Sequence, residues 1–202
     1  MTEEQVFFDR IAPRWDAMRD EEPSKLRALL RRIPVKPGDC ILDVGSGTGV
    51  LLPYLRELTG DAGRILAVDF SRNMLAEARK KYAGLTGISF RTADVMHDDL
   101  PRDAFDVITC LNVYPHFAEH KEQFLRRMLP LLREGGCLAI FHDISRAAVA
   151  AIHQTEEETK DHLLPPAEET GRLLSSCGYR DIVTYEDDGC YFAAGHRSRV
   201  ND

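Results

Sequence analysis

Residues 40–49 read Cys40–Ile41–Leu42–Asp43–Val44–Gly45–Ser46–Gly47–Thr48–Gly49. An apolar run ends in an aspartate, a glycine-rich turn follows, and a helical pattern begins at once. This is a strand, a loop and a helix arranged around a ligand. Gly45 and Gly47 remove side chains where backbone must approach that ligand, and they accept backbone angles that other residues resist. The helix after the loop points its unpaired N–H groups at the same place.

The pattern continues outward on both sides. Upstream, Val6, Phe7, Ile11, Trp15 and Met18 recur at helical spacing with Pro13 interrupting, which predicts a short broken helix. Ser24 is the expected cap of a helix from Lys25 to Ile33. Downstream, a helix is expected from Thr48 to Leu58, closed by Gly60. A second apolar strand, Arg64 to Asp69, leads into a helix capped by Ser71 and running to Lys81. A third strand spans Ile88 to Ala93 and a fourth Ala104 to Leu111. A helix from Phe117 to Leu132 is expected to end at Gly135–Gly136, before a fifth strand from Cys137 to Phe141. Strands alternate with helices and are almost continuously apolar, so the fold class is α/β, with a parallel sheet covered by helices on both faces.

After Phe141 the rhythm changes. Ser145 to about Thr159 reads as a helix, apolar first and then polar, with Glu156–Glu157–Glu158 as a solvated face. Pro165–Pro166 opens a helix from Ala167 to Cys177. Two strands, Tyr179 to Tyr185 and Cys190 to Gly195, flank Asp187–Asp188–Gly189 and predict an antiparallel hairpin. The expected organisation is one domain over residues 1–202. It has a helical cover (1–36), a ligand-binding core (37–142), recognition helices (143–178) and a closing hairpin (179–196).

The chain has 202 residues, 44% of them apolar and 29% charged, with a formal net charge of −7. That charge disfavours nucleic acid as a partner, because a phosphate backbone needs a basic surface. No apolar run approaches the roughly 20 residues of a membrane span, so no membrane insertion is expected. The N-terminus is acidic and lacks a signal-peptide core. The five cysteines are scattered without a CxxC pair, and Cys40, Cys110 and Cys137 read as buried filler. A cytoplasmic protein, monomer or homodimer, is expected.

Three acids sharpen the reading of the loop. Asp43, Asp69 and Asp94 each lie at or just after a strand end, and a parallel sheet brings such ends together at the point where ligands bind. Asp69 suits a ribose diol, since a carboxylate accepts two hydroxyl hydrogen bonds. Asp94 suits an adenine amino group, and Asp43 the loop itself or a cationic ligand end. A nicotinamide dinucleotide would also use a ribose acid, but its GxGxxG fingerprint places the third glycine one position beyond Gly49. A phosphate-binding P-loop would need a following GK[ST].

Asp43–Val44–Gly45–Ser46–Gly47–Thr48–Gly49, with Asp69 and Asp94 behind it, resembles the cofactor site of the class I S-adenosylmethionine-dependent methyltransferases. The resemblance covers about residues 38–195. It implies a Rossmann-like, seven-stranded, mostly parallel sheet closed by an antiparallel hairpin, with S-adenosyl-L-methionine as cofactor. It further implies that Gly45, Ser46 and Gly47 lie under the methionine part and that Asp69 holds the ribose. Phe70 and Met74 would lie against the adenine, and Asp94 and Val95 would hold its edge. Leu111 and Asn112 would face the methionine amino group.

Phe8–Asp9–Arg10–Ile11–Ala12–Pro13–Arg14–Trp15–Asp16 is similar to the F-D-x-I-A-x-x-Y-D opening of the quinone-biosynthesis C-methyltransferases, with Trp15 in place of tyrosine. The asparagine that usually follows is absent, and Met18–Arg19 stand there. This segment implies a small-molecule acceptor; the alternative is that Phe8, Ile11 and Trp15 merely seal a sheet edge. Asn112–Val113–Tyr114–Pro115 is not the NPPY of amino-group methyltransferases, and the cysteines do not supply the set that arsenite methyltransferases need. The segment from His142 to Pro166 falls where the resemblance places acceptor recognition.

Trp15, His116, His142 and His153 are the expected acceptor contacts, with His116 first and His153 second as candidate bases. Converging histidines could serve as base, polar contact or metal ligand. No local H-x-x-x-H spacing singles out a metal, and none is expected. Two other readings stay open: a non-catalytic protein that binds S-adenosylmethionine, and an oxidoreductase using a dinucleotide.

Overall fold

The computed structural model describes residues 2–19, 22–154 and 162–199. The expected helix tail to Thr159, with its run Glu156–Glu157–Glu158, lies outside the described residues.

Seven strands form one sheet. They are β1 (Cys40–Val44), β2 (Arg64–Asp69), β3 (Ile88–Thr92), β4 (Phe105–Leu111), β5 (Leu132–His142), β6 (Tyr179–Glu186) and β7 (Tyr191–Arg197). Their order is β3-β2-β1-β4-β5-β7-β6. β1 pairs in parallel with both β2 and β4, so the strand order reverses there. β7 runs antiparallel to both β5 and β6, and every other pairing is parallel. The helices are α1 (Glu3–Ile11), α2 (Pro23–Leu30), α3 (Leu52–Thr59), α4 (Arg72–Lys81), α5 (Lys121–Met128), α6 (Arg146–His153) and α7 (Ala167–Ser176).

Strand residues alternate between two buried layers, which is why the central strands read as unbroken apolar runs. Ile41, Ile65, Val107, Ala139 and Phe141 pack with Leu26, Leu29, Leu52 and Leu55 from α2 and α3. Leu42, Val68, Ile108, Leu138 and Ile140 pack on the other side with Phe124, Leu125, Met128 and Leu174 from α5 and α7. A third, smaller cluster joins Phe7, Ile11 and Ala12 to Met74 of α4 and fixes the N-terminal segment at the carboxyl end of the sheet.

Several element boundaries differ from expectation. α2 begins at Pro23 with Glu22 as N-cap, because proline fixes the first helical φ. Ser24 is inside the helix and donates to Glu22 Oε1 at 3.0 Å. α3 starts at Leu52 with Pro53 in its first turn, so Thr48 to Leu51 form turns. The long helix expected over Phe117–Leu132 breaks twice. Ala118 takes φ +42, and Pro130 turns the chain out through Leu129–Leu131. Gly135–Gly136 therefore closes no helix: both residues lie in β5, in a bulge where the register jumps between Phe105↔Leu132 and Val107↔Cys137. Gly135 has φ +75, and a Cβ on Gly136 would sit 2.9 Å from the Arg133 carbonyl oxygen. α6 starts after Ser145, whose Oγ accepts from Ala148 N at 3.2 Å.

Among the described residues, no helix is long and apolar enough to cross a membrane.

Candidate active site

The ends of β1, β2 and β4 open onto a cleft roofed by the N-terminal segment. Asp43, Gly45, Ser46, Gly47, Asp69, Phe70, Met74, Leu111 and Asn112 line it, with Phe8, Trp15, Arg19 and His116 on the roof side. Asp94 and Val95 line neither this cleft nor the cavity beside it. Asp94 instead closes its own turn, accepting from Met96 N at 2.8 Å and lying 2.8 Å from His97 Nδ1.

The loop after β1 is held from two sides. Gly45 has φ +63, and a Cβ there would lie 2.6 Å from Val113 Cγ2. We expect Gly45→Ala to lose about 2–3 kcal/mol of stability through strain and overlap. Urea unfolding checks this, and an unchanged midpoint would contradict the tight approach to Val113. On the other side, Asp69 accepts from Gly47 N through Oδ2 and from Ser71 N through Oδ1, both at 2.8 Å. Asp69 thus ties the loop to the start of α4. Asp43 accepts from Thr109 Oγ1 at 2.7 Å.

Both carboxylates are buried. Burial pushes Asp43 up to about 7, with Asp69 adding to the rise and the Thr109 hydroxyl opposing it. Burial also raises Asp69 to about 6, against the opposing N–H groups of Ser71 and Gly47. Two buried acids with raised pKa values make a poor phosphate site and a good one for a cation. Ser46 Oγ and Asn112 Oδ1 are buried in the same wall and have no hydrogen-bond partner among the described residues. A ligand with an ammonium group, a carboxylate and a diol fits this set of donors and acceptors.

Asn112 ends β4 in the left-handed region, φ +57, which asparagine tolerates better than most residues. Its Nδ2 donates to Asp143 Oδ1 at 2.6 Å, and Arg19 Nη2 donates to Asp143 Oδ2 at 3.2 Å. Arg19, Asp143 and Asn112 thereby join the N-terminal segment to the ends of β4 and β5. The two aspartates of the Phe8–Asp16 segment act as further latches. Asp9 Oδ1 accepts from Ser71 Oγ at 2.6 Å and from Asn73 N at 3.0 Å, and Asp16 accepts from Thr48 Oγ1 at 2.5 Å.

A second cavity of about 390 Å³ adjoins the cleft, sharing Phe8, Trp15, Arg19, Asn112 and His116 as a common wall. His142, Asp143, Val149 and His153 line its far side. His142 is buried, neither ring nitrogen has a partner among the described residues, and it packs edge-on against Tyr191 at 5.7 Å. Burial drives its pKa down to about 3, helped by His116 and His153, so this imidazole is neutral. Burial also holds His153 below its ordinary value, against an opposing 2.7 Å bond from Nδ1 to the His162 carbonyl. His116 Nδ1 lies 2.6 Å from Glu4 Oε1.

Arg19 and Asp143 line the site, and Glu4 and His162 bond the wall residues His116 and His153 from behind; the sequence pattern assigned none of the four to the site. Asp143 and His162 lie in the segment from His142 to Pro166 that the resemblance assigns to acceptor recognition, and Arg19 stands out in sequence only as a departure from the F-D-x-I-A pattern. Glu4 gave no signal beyond an acidic N-terminus.

Residues 41–136 match the family described as "Methyltransferase domain", and the fold, the glycine loop and the acids behind it are similar to those of class I S-adenosylmethionine-dependent methyltransferases. The chain is 29% identical over 166 residues to the ubiquinone/menaquinone biosynthesis C-methyltransferase UbiE of Vibrio parahaemolyticus, an alignment covering 78% of this chain and 63% of that protein. It thus spans under two thirds of that relative's length. Among solved structures, a SAM-dependent methyltransferase from Aquifex aeolicus superposes with a TM-score of 0.73 at 21% identity, over 92% of this chain and 97% of the other. Phosphoethanolamine N-methyltransferase 2 of Haemonchus contortus, solved with S-adenosylhomocysteine, superposes with a TM-score of 0.79 at 16% identity, over 98% and 61%. S-adenosylmethionine is the cofactor of the class.

Proposed function

We propose that the protein transfers a methyl group from S-adenosylmethionine to a small molecule held in the second cavity. One observation carries the reading: a mostly apolar cavity of about 390 Å³ with histidines in its wall meets the cofactor cleft along a shared wall. In this reading Gly45, Ser46 and Gly47 underlie the amino-acid end, and Asp69 takes the ribose hydroxyls. Phe70 and Met74 flank the adenine. Asp94 and Val95 hold the adenine edge, for which the Asp94 oxygens keep lone pairs beyond their turn bonds. The two buried carboxylates speak against a pyrophosphate and so against a dinucleotide. The unpaired cysteines support a reducing, cytoplasmic setting.

When bound, the cofactor supplies a methyl group already activated on a sulfonium. The chain's part is alignment and exclusion of water. Phe8 and Trp15 roof the junction, and Asn112, locked by Asp143, sets the wall between the two sites. A proton must leave only if the acceptor atom carries one. His116 and His153 are the candidates to take it, because both line the cavity and an imidazole is the commonest general base.

Methyl-labelled cofactor incubated with fractionated cell extract tests this. Label is expected in the small-molecule fraction. Label in protein or nucleic acid would overturn the acceptor class, and cofactor binding without any transfer would establish the non-catalytic alternative. With an acceptor in hand, His116→Ala or His153→Ala is expected to lower turnover about a hundredfold, with much less change in cofactor affinity. Unchanged turnover in both variants would remove them from the mechanism.

A further inference from the structure

Three side chains from distant parts of the chain meet beside the acceptor cavity. Glu4 comes from α1, His116 from the turn after β4, and His162 from the segment before α7. Each offers one ligand atom, and these atoms all lie within 4.8 Å of one another. Glu4 Oε1 is 2.6 Å from His116 Nδ1 and 3.6 Å from His162 Nδ1. All three side chains are largely shielded from solvent, with relative exposures of 22% for Glu4, 15% for His116 and 17% for His162.

We propose that Glu4, His116 and His162 bind one divalent transition-metal ion, zinc or a first-row neighbour. Two imidazoles and a carboxylate are a donor set that such ions favour, and three protein ligands leave coordination positions open. A simple latch between α1 and the β4 turn would need only Glu4 and one imidazole. Here a second imidazole approaches the same carboxylate oxygen. His153 adds support behind the ligands, since its Nδ1 bonds the His162 carbonyl at 2.7 Å and its ring lies 5.1 Å from that of His116. His153 is a positioning residue in this arrangement.

The consequence for catalysis rests on the small-molecule reading above. His116 belongs to the cavity wall, so an acceptor hydroxyl or thiol in the cavity could occupy an open position on the ion. The ion would favour loss of its proton: the O–H or S–H bond breaks, the electron pair stays on the heteroatom, and the proton passes to water. That leaves the nucleophile that displacement at the methyl carbon requires. It also assigns His116 to the ion rather than to proton transfer.

The test uses the untagged full chain after chelator treatment, titrated with Co²⁺ and then Zn²⁺. Calorimetry and visible absorption read the metal, and a separate calorimetric titration reads S-adenosylmethionine. One Co²⁺ per chain is expected, with visible bands of a nitrogen–oxygen site, no thiolate charge-transfer band, and displacement by Zn²⁺. Glu4→Gln and His162→Gln are each expected to weaken Co²⁺ at least tenfold while cofactor affinity is retained, since neither residue lines the cofactor cleft. No stoichiometric Co²⁺ in the unaltered protein would overturn the site. So would a thiolate spectrum, or equal binding by variants that still bind cofactor. Metal bound without cofactor would uphold the site and sink the methyl-transfer reading instead.

Discussion

Replacing Asp69 by alanine is expected to weaken S-adenosylmethionine binding by about a hundredfold or more. The carboxylate is buried at the end of β2 and spends one oxygen on Gly47 N and the other on Ser71 N. Each oxygen has further lone pairs, which is what two ribose hydroxyls require. Charge-assisted hydrogen bonds contribute about 1.5–3 kcal/mol each, so losing a pair is worth about 3 kcal/mol or more, which is that hundredfold. The same change also releases the glycine loop, because Gly47 N and Ser71 N lose their acceptor together. Asp69→Asn separates the two effects. It keeps an acceptor for one N–H and fold stability near that of the parent, yet loses most of the cofactor affinity. Calorimetry on both variants, alongside urea unfolding, measures the split. Affinity within threefold of the parent in Asp69→Ala would remove Asp69 from the cofactor site.

The architecture was readable because its determinants are local. The strands of the sheet's centre, β1, β2, β4 and the second half of β5, are apolar runs bounded by turn residues, because both layers of the core need the same residue types. The hairpin announced itself through Asp187–Asp188–Gly189. The errors also have local causes. Prolines at 23 and 130 moved helix ends by fixing φ and removing a donor, and helical periodicity alone does not register them. Gly135–Gly136 looked like a helix stop because a bulge inside a strand uses the same residues as a cap. Only the partner strand, with its shifted register, tells the two apart.

Site residues divide along the same line. Asp43, the glycines and Asp69 share one strand end or its neighbour, so topology alone brings them together. Glu4 meets His116 across 112 positions, and Arg19 meets Asp143 across 124. Nothing in either neighbourhood encodes such a pairing. It follows from where α1 lands on the sheet, which the apolar contacts of Phe7, Ile11 and Ala12 with Met74 decide. His142 shows the converse. Its position at the end of β5 marked it as an acceptor contact, and it does line the cavity. Burial leaves it neutral, so any part it plays is that of an uncharged group.

Asp43→Asn is expected to stabilise the cofactor-free protein at pH 8 while impairing cofactor binding. Burial raises the Asp43 carboxyl from 3.8 to about 7. A folded-state pKa above the unfolded value means that the native state holds its proton more tightly. Stability therefore falls as pH rises from about 4 to about 7, and the penalty is complete above that. Three pH units correspond to on the order of 4 kcal/mol. The ionisable groups facing Asp43 are Asp69 on β2, which opposes its ionisation, and Cys110 on β4, a buried thiol that stays protonated. Asp69 titrates in the same sense. His142 runs the other way: its depressed pKa means that stability is lost as pH falls below about 6.5. The parent's curve mixes these contributions, so the difference between variant and parent is the useful quantity. The variant's advantage should grow by about 2 kcal/mol or more between pH 5 and pH 8, read from urea unfolding at each pH. Parallel curves would show that Asp43 is not a strained acid. A ligand bearing an ammonium and a sulfonium prefers ionised Asp43, so cofactor affinity should rise with pH through about 7 in the parent and lose that rise in Asp43→Asn. The buried charge that weakens the empty fold would then be the charge that selects a cationic cofactor.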